Sequence, residues 1–294
     1  MMADRRTLLI TGATGNQGGA TVDELLERQV PVRIRALVRD PTSPKAVALA
    51  MNGVELIRGD LDDGDSVRAA LAGVDGVLSV QTPLGPDGAA GEERQGKLLG
   101  TLAAEAGVRH VVYCSAGGAE RGSGVPHFES KHAVERHMSA LGLATTVLRP
   151  VAFMENFRSF GFRTIMLSMM RTHLRPDQPM QLVSVRDVGW FAAEAFERPD
   201  AYVGWEIEIG GDAVTYREAA ATLRQSGMGP AVALTLPGPL LRRMPDDFRL
   251  MFAWIARSGF RADMPELRRA RPGLLTLQAW TASKGARLPR GGRT

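Results

Sequence analysis

His127 and Lys131 stand four residues apart in the run His127-Phe128-Glu129-Ser130-Lys131-His132. An imidazole exchanges protons near neutral pH, so His127 is a candidate acid, while the ammonium of Lys131 suits the hydroxyls of a sugar. The remaining carboxylates are scattered, Ser115 has no nucleophile elbow around it, and the histidines at 110, 127, 132, 137 and 173 make no metal-ligand pattern. A second chemistry is written near the start of the chain. There an apolar run, Thr7 to Ile10, passes through Gly12, Gly15 and Gly18 into a segment with Val22, Leu25 and Leu26 at helical spacing. Strand, glycine turn and helix make a phosphate cradle. The first glycine permits the bend, the second lets backbone approach a pyrophosphate, and the third lets the helix sit against the strand, whose N–H groups and dipole favour the anion. The spacing is G-x-x-G-x-x-G, with Thr14, Asn16 and Gln17 inside it.

The following strand, Val32 to Val38, ends in Arg39-Asp40-Pro41, at the distance from the glycines where a ribose-reading residue is expected. A guanidinium there pairs with a 2′-phosphate, so Arg39 points to NADP(H), with Lys45 as a second positive charge; Asp40 leaves NAD(H) as the lesser alternative. Val54 to Arg58 reads as a third strand leading to Asp60, which would accept from the adenine amino group, and to Asp62 and Asp63, which read as helix caps. After a fourth strand, Val74 to Val80, residues Gln81 and Thr82 fall near a nicotinamide ribose by the same logic.

These residues need a scaffold, and the chain supplies one by alternation. Further strands at His110 to Ser115 and Ala144 to Arg149, with helices at Ser66 to Leu71, Glu92 to Ala106 and Phe128 to Leu141 between strands, predict an α/β fold. Its form is a Rossmann-type doubly wound parallel sheet with a smaller C-terminal α/β lobe. The expected division is a dinucleotide-binding domain over 1–150 and a substrate or cap lobe over 151–294, some of whose elements return to the sheet. In that lobe helices are expected at Phe160 to Met170, Asp187 to Glu197, Tyr216 to Gln225, Phe248 to Ile255 and Thr276 to Ala282. Met166, Met169 and Met170 read as core or cap lining, and Pro289 to Thr294 as a disordered tail.

With 294 residues, 44% of them hydrophobic, the chain can bury a large core; 36 Lys and Arg against 32 Asp and Glu give a net charge of +4, too mild to suggest a nucleic-acid partner. Arg268, Arg269 and Arg271 form a basic cluster that would suit an acidic partner or a solvated face. Cys114 is the single cysteine, so no intramolecular disulfide and no cysteine metal cluster can form. No stretch reaches the roughly 18 apolar residues of a membrane span, and a soluble cytoplasmic protein, monomer or homodimer, is expected.

Hydride transfer to a carbonyl needs a proton donor, which in short-chain dehydrogenases is a tyrosine four residues before a lysine. None of Tyr113, Tyr202 and Tyr216 has that lysine, and His127 stands where the tyrosine would. The segments TGATGNQGG, QGKLLGTLAAEAGVRHVVYCS, HFESKHAVE, LRPVAFMENF and VSVRDVG together resemble the NmrA-like family of atypical short-chain dehydrogenase/reductases. The resemblance implies NADP(H) binding in which the glycine turn with Thr14, Asn16 and Gln17 meets the pyrophosphate and Arg39 the 2′-phosphate. Asp60 and Leu61 would line the adenine pocket, Lys131 would hold the nicotinamide ribose, and Asn156 and Phe157 would approach the nicotinamide. It leaves two functions: an NADPH-dependent reductase of a quinone or conjugated acceptor, under a cap rich in Phe153, Phe157, Phe160 and methionines, or a non-catalytic NADP(H) redox sensor that regulates transcription through protein partners.

Overall fold

The structure, a computed structural model, describes residues 5–283; the tail from Pro289 lies outside them. The chain begins β1 (Thr7–Ile10), α1 (Asn16–Glu27), β2 (Arg33–Val38), α2 (Pro44–Met51), β3 (Glu55–Arg58), α3 (Gly64–Leu71), β4 (Gly76–Ser79), α4 (Gly88–Glu105), β5 (His110–Cys114), α5 (Pro126–Ala140) and β6 (Thr145–Pro150). It continues through β7 (Ala152–Phe153), α6 (Phe160–His173), β8 (Met180–Val183), α7 (Val185–Glu197), α8 (Pro199–Tyr202), β9 (Glu206–Ile209), β10 (Asp212–Val214) and α9 (Tyr216–Gln225). Last come α10 (Gly238–Leu241), α11 (Asp246–Arg257), α12 (Met264–Ala270) and α13 (Leu277–Ala282).

Two compact units divide these elements: one holds the residues up to Gly122, Pro126–Arg149 and Val188–Ile207, the other Ser123–Val125, Pro150–Asp187 and the residues from Glu208 onwards. The first carries a seven-stranded sheet in the order β3-β2-β1-β4-β5-β6-β9, with β1 to β6 paired in parallel. The doubly wound α/β sheet expected from the alternation is therefore present, and β9 extends it. Strands β1, β4 and β5 are buried along their whole length because helices cover both faces of a parallel sheet. On one face Leu9, Leu37, Val77, Val111 and Tyr113 meet Val67, Leu71, Leu99, Leu102, Val134 and Met138 of α3, α4 and α5. On the other, a Cβ on Gly189 of α7 would lie 2.5 Å from the backbone of Ala20 in α1. Only a glycine lets these two helices touch there.

Helix α2 was not anticipated, since Ala46 is its single buried residue and no apolar stripe marks it. Helix α1 starts at Asn16 rather than Ala20, its first turn being hidden by Gly18 and Gly19, which are poor helix formers.

The second unit has a small sheet, β10-β8-β7, and a core that includes Met166, Leu167, Met169 and Met170 of α6. Residues 228–236 run irregularly along α6, tied by Arg163 Nη1 to the Met228 carbonyl at 2.7 Å, Arg171 Nη1 to that of Ala233 at 2.7 Å, and Ser168 Oγ accepting from Leu234 N at 2.9 Å. The C-terminal segment is latched by buried carboxylates. Glu155 accepts from Trp280 Nε1 at 2.9 Å, and Asp187 pairs with Arg271 Nε at 2.7 Å while accepting from Leu275 N at 3.1 Å. Arg268 donates to the Gly211 carbonyl at 2.6 Å. Two of the three arginines read as a basic face are thus internal anchors, a correction the one-dimensional cluster could not reveal.

Burial pushes Asp187 up to about 6, against the opposing pull of Arg271. The proton is bound more tightly in the folded than in the unfolded chain, so the stability from this group is present below about pH 4 and lost as pH rises through 6. Relative to an Asp187→Asn variant, the wild type should lose on the order of 2–3 kcal/mol between pH 4 and pH 7. Denaturation of both proteins across that range checks this; a constant gap would contradict it.

Candidate functional site

The sheet order reverses at β1, which has β2 on one side and β4 on the other, so a crevice opens at the C-terminal ends of β1 and β4. Thr11 closes its floor. Its hydroxyl donates to the carbonyls of Leu78 (3.0 Å) and Val80 (3.1 Å) and accepts from Val80 N at 2.8 Å, fastening the end of β1 to that of β4. Gly12 follows with φ +63°, a left-handed conformation that favours glycine. Gly15 N–H donates to the Gly12 carbonyl at 2.8 Å, and a Cβ on Gly18 would stand 2.5 Å from that same oxygen. The head of α1 is therefore drawn onto the turn. It has no side-chain cap and no acid in its first turn, which leaves the N–H groups of Asn16, Gln17 and Gly18 directed at the crevice. Thr14, Gly15 and Asn16 are at least partly exposed there. A pyrophosphate fits such a cradle.

At the end of β2, Arg39 is exposed and has no side-chain partner among the described residues. Asp40 is engaged locally: its carboxylate accepts from Thr42 Oγ1 at 2.6 Å and Thr42 N at 2.8 Å. The Thr42 hydroxyl chiefly, with Arg58 contributing, holds the Asp40 carboxyl below its ordinary value. Lys45 of α2 donates to the Thr14 carbonyl at 3.1 Å and so ties that helix to the cradle. Arg58, which the sequence reading passed over, is in register with Val38 and exposed. Its neighbour Ile57 packs on the core of α3 and α4, so alternation turns Arg58 to the opposite face. The signal that marks it is the pairing of β2 with β3, which composition alone does not show.

Asp60 accepts from Asp62 N at 3.0 Å, and Leu61 is half-buried against the sheet core. Asp63 caps α3, whereas Asp62 binds Arg94 at 2.7 Å instead of capping. After β4 the Gln81 amide is buried, donating to Ser79 Oγ at 3.1 Å, and Thr82 is exposed. Gln81 is thus turned inward, toward Ser79, at this edge.

Lys131 lies at the C-terminal end of β5, and helix packing explains how. Gly96 and Gly100 of α4 face Val134 and Met138 of α5; Cβ atoms there would come within 2.6 Å of Val134 Cγ2 and 3.2 Å of Met138 Cγ. One turn before Gly96 on the same face is Glu92, brought by that close approach against α5. Lys131 Nζ stands 2.9 Å from Glu92 Oε1 and 3.4 Å from the Cys114 carbonyl, while Ser130 Oγ donates to Glu92 Oε2 at 2.6 Å. The side chains of Glu92 and Lys131 are 0% and 8% exposed, a buried ion pair. His127, one turn before Lys131, is half-buried with its ring edge-on to Phe128 at 4.6 Å. Burial, and then the charges of Glu92 and Glu135, push the Tyr113 phenol well above its ordinary range, and burial pushes the Cys114 thiol up to about 12.

In the second unit, Asn156 is half-buried and Phe157 fully buried, in a 3-10 turn over Met154–Phe157. Of the apolar residues expected to line a cap, Phe157 and the α6 methionines are interior packing, while Phe160 is exposed to 55% and is joined at the surface by Phe162 and Ile165, each exposed to 40%. Among the described residues no group of His, Cys, Asp and Glu could hold a metal ion, and no helix is long and apolar enough to cross a membrane.

Comparison with known proteins gives this geometry its family. The pattern of the NmrA-like family matches residues 4–259, and the chain belongs to that family. It is 31% identical over 231 residues to the NAD(P)H azoreductase of Xenophilus azovorans, covering 78% of this chain and 77% of that protein. It is also 31% identical over 219 residues to the (4-alkanoyl-5-oxo-2,5-dihydrofuran-3-yl)methyl phosphate reductase of Streptomyces griseus, covering 74% and 72%. Several fungal NmrA-like oxidoreductases match over about half their length. The crystal structure of NmrA, a negative transcriptional regulator, superposes with a TM-score of 0.78 over 96% of each chain at 19% identity, a likeness of fold.

The cradle makes a direct prediction. Gly18→Ala sets a methyl 2.5 Å from the Gly12 carbonyl oxygen, so the turn must open, at a cost of about 1–3 kcal/mol. Chemical denaturation measures this, and an alanine variant as stable as the wild type would show that the contact is slack.

Proposed function

We propose that the chain binds NADP(H) in preference to NAD(H) and reduces a quinone or a similarly conjugated small-molecule acceptor. The observation that carries the cofactor choice is the end of β2, where Arg39 is unpartnered while one oxygen of the Asp40 carboxylate, Oδ1, takes both hydrogen bonds from Thr42. An NAD site needs a free carboxylate for the ribose hydroxyls; a 2′-phosphate site needs a free guanidinium. The residues that would hold the dinucleotide are the turn from Gly12 to Gly18 with Thr14, Asn16 and Gln17 for the pyrophosphate, and Arg39, with Arg58 and Lys45 nearby, for the 2′-phosphate. Asp60 and Leu61 would flank the adenine, and Lys131 would hold the nicotinamide ribose. Bound NADPH supplies the hydride.

The protein's part is to hold the two ends and to manage a proton. Lys131, ion-paired with Glu92 and donating to the Cys114 carbonyl, would offer an ammonium N–H to a ribose hydroxyl, and His127, four residues before it on α5, would be the proton donor. With no tyrosine in the place of His127, the arrangement suits acceptors whose reduced form carries its own negative charge well, as a hydroquinone does. Two relatives named as reductases, one of azo compounds and one of an unsaturated lactone phosphate, support acceptors of the conjugated kind.

Arg39→Ala should weaken NADPH binding by roughly 1.5–3 kcal/mol and leave NADH binding nearly unchanged, read by calorimetry; equal losses for both would remove Arg39 from the 2′-phosphate. The reductase reading is tested by following NADPH oxidation against a panel of quinones and enones. Turnover abolished by Lys131→Ala is expected. No turnover with any acceptor, together with an NADPH-dependent change of mass in light scattering, would overturn it in favour of a redox sensor.

A further inference from the structure

The sheet end that holds Lys131 contains an acid that no reading of the motifs singled out. Glu92 is inaccessible to solvent, its carboxylate divided between Lys131 Nζ at 2.9 Å and Ser130 Oγ at 2.6 Å. A buried ion pair is a poor way to join two helices, because removing both charges from water offsets most of their attraction. One turn further along the same interface the contact is apolar, glycines of α4 against Val134 and Met138. An apolar pair would have served at Glu92 and Lys131 as well, had packing been the only demand.

The end of this pair that reaches the edge of the sheet is the ammonium, at the C-terminal end of β5, beside the strand that forms the crevice with β1. A lysine alone carries its charge on a flexible four-carbon stem. Here Glu92 and the Cys114 carbonyl fix the ammonium from two directions, and Ser130, itself donating from the adjacent position of α5, fixes Glu92. The pair carries no net charge, so what it presents is a directed N–H donor rather than a bare cation. That suits a neutral hydroxyl and disfavours capture of the phosphates, which the cradle already takes.

We propose that Glu92, supported by Ser130, is the positioning residue for the nicotinamide half of the cofactor site, acting through Lys131. The proposal rests on the reading of Lys131 as the ribose anchor. It implies that loss of the Glu92 charge weakens the nicotinamide half alone.

The test is a set of titrations on the full chain with NADPH, NADH and 2′,5′-ADP, the last of which lacks the nicotinamide half. Glu92→Gln should lower affinity for NADPH and NADH by the same factor, about tenfold, and leave 2′,5′-ADP binding unchanged. On a Lys131→Met background, where the anchor is gone, Glu92→Gln should add no further loss. Ser130→Ala, which leaves the ion pair in place, should shift both dinucleotides the same way by a smaller factor, and it serves if Glu92→Gln does not fold. A parallel loss of 2′,5′-ADP affinity would mean that Glu92 only maintains the fold, and unchanged dinucleotide affinity in both variants, or full additivity with Lys131→Met, would likewise overturn the proposal. Wild-type protein that binds neither dinucleotide would instead bring down the underlying reading and the proposal with it.

Discussion

The contact between the head of α1 and the Gly12 carbonyl is the constraint from which the ligand-binding edge follows. Because nothing larger than hydrogen fits at Gly18, the helix seats directly on the turn, and its unpaired N–H groups face the crevice instead of being covered by a capping side chain. Thr11 makes the seat rigid from below by joining β1 to β4, so the cradle is placed by the sheet rather than by a loop. Lys45 reaches the same turn from α2.

A second close approach, between α4 and α5, organises the opposite end of the site. There the small residues Gly96 and Gly100 bring a carboxylate into contact with a lysine that would otherwise be loosely held. The same unit contains another buried acid, Glu135, for which burial is outweighed by the two-pronged contact with Arg149, at 3.1 and 2.7 Å, so that its carboxyl stays below the usual range. Asp187 in the second unit shows the reverse balance, with burial prevailing over Arg271. The contrast follows from geometry: Glu135 receives two parallel N–H bonds from one guanidinium, and Asp187 pairs with one guanidinium nitrogen and one backbone N–H.

Much of the first unit was legible in the chain. Apolar runs at Thr7 to Ile10 and His110 to Cys114 read as strands because both faces of a parallel strand are covered, and the three glycines announced the turn between β1 and α1. What escaped was whatever depends on neighbours distant in sequence. Arg58 gains its place only through pairing with Val38, and Glu92 only through helix packing. Helix α2 gave no periodic signal because it buries one alanine, and the cluster at Arg268 to Arg271 looked solvated because its partners, Gly211 and Asp187, lie far back in the chain. Of the two places read for the α6 methionines, core or cap lining, burial gives core.

The family is established; the account turns on which dinucleotide the end of β2 would select. A calorimetric titration of the wild-type protein with NADPH and then NADH under the same buffer and salt tests that choice most directly. With Arg39 unpartnered and Asp40 Oδ1 engaged by Thr42, NADPH should bind at least tenfold more tightly. NADH binding as tightly as NADPH, or more so, would contradict the account.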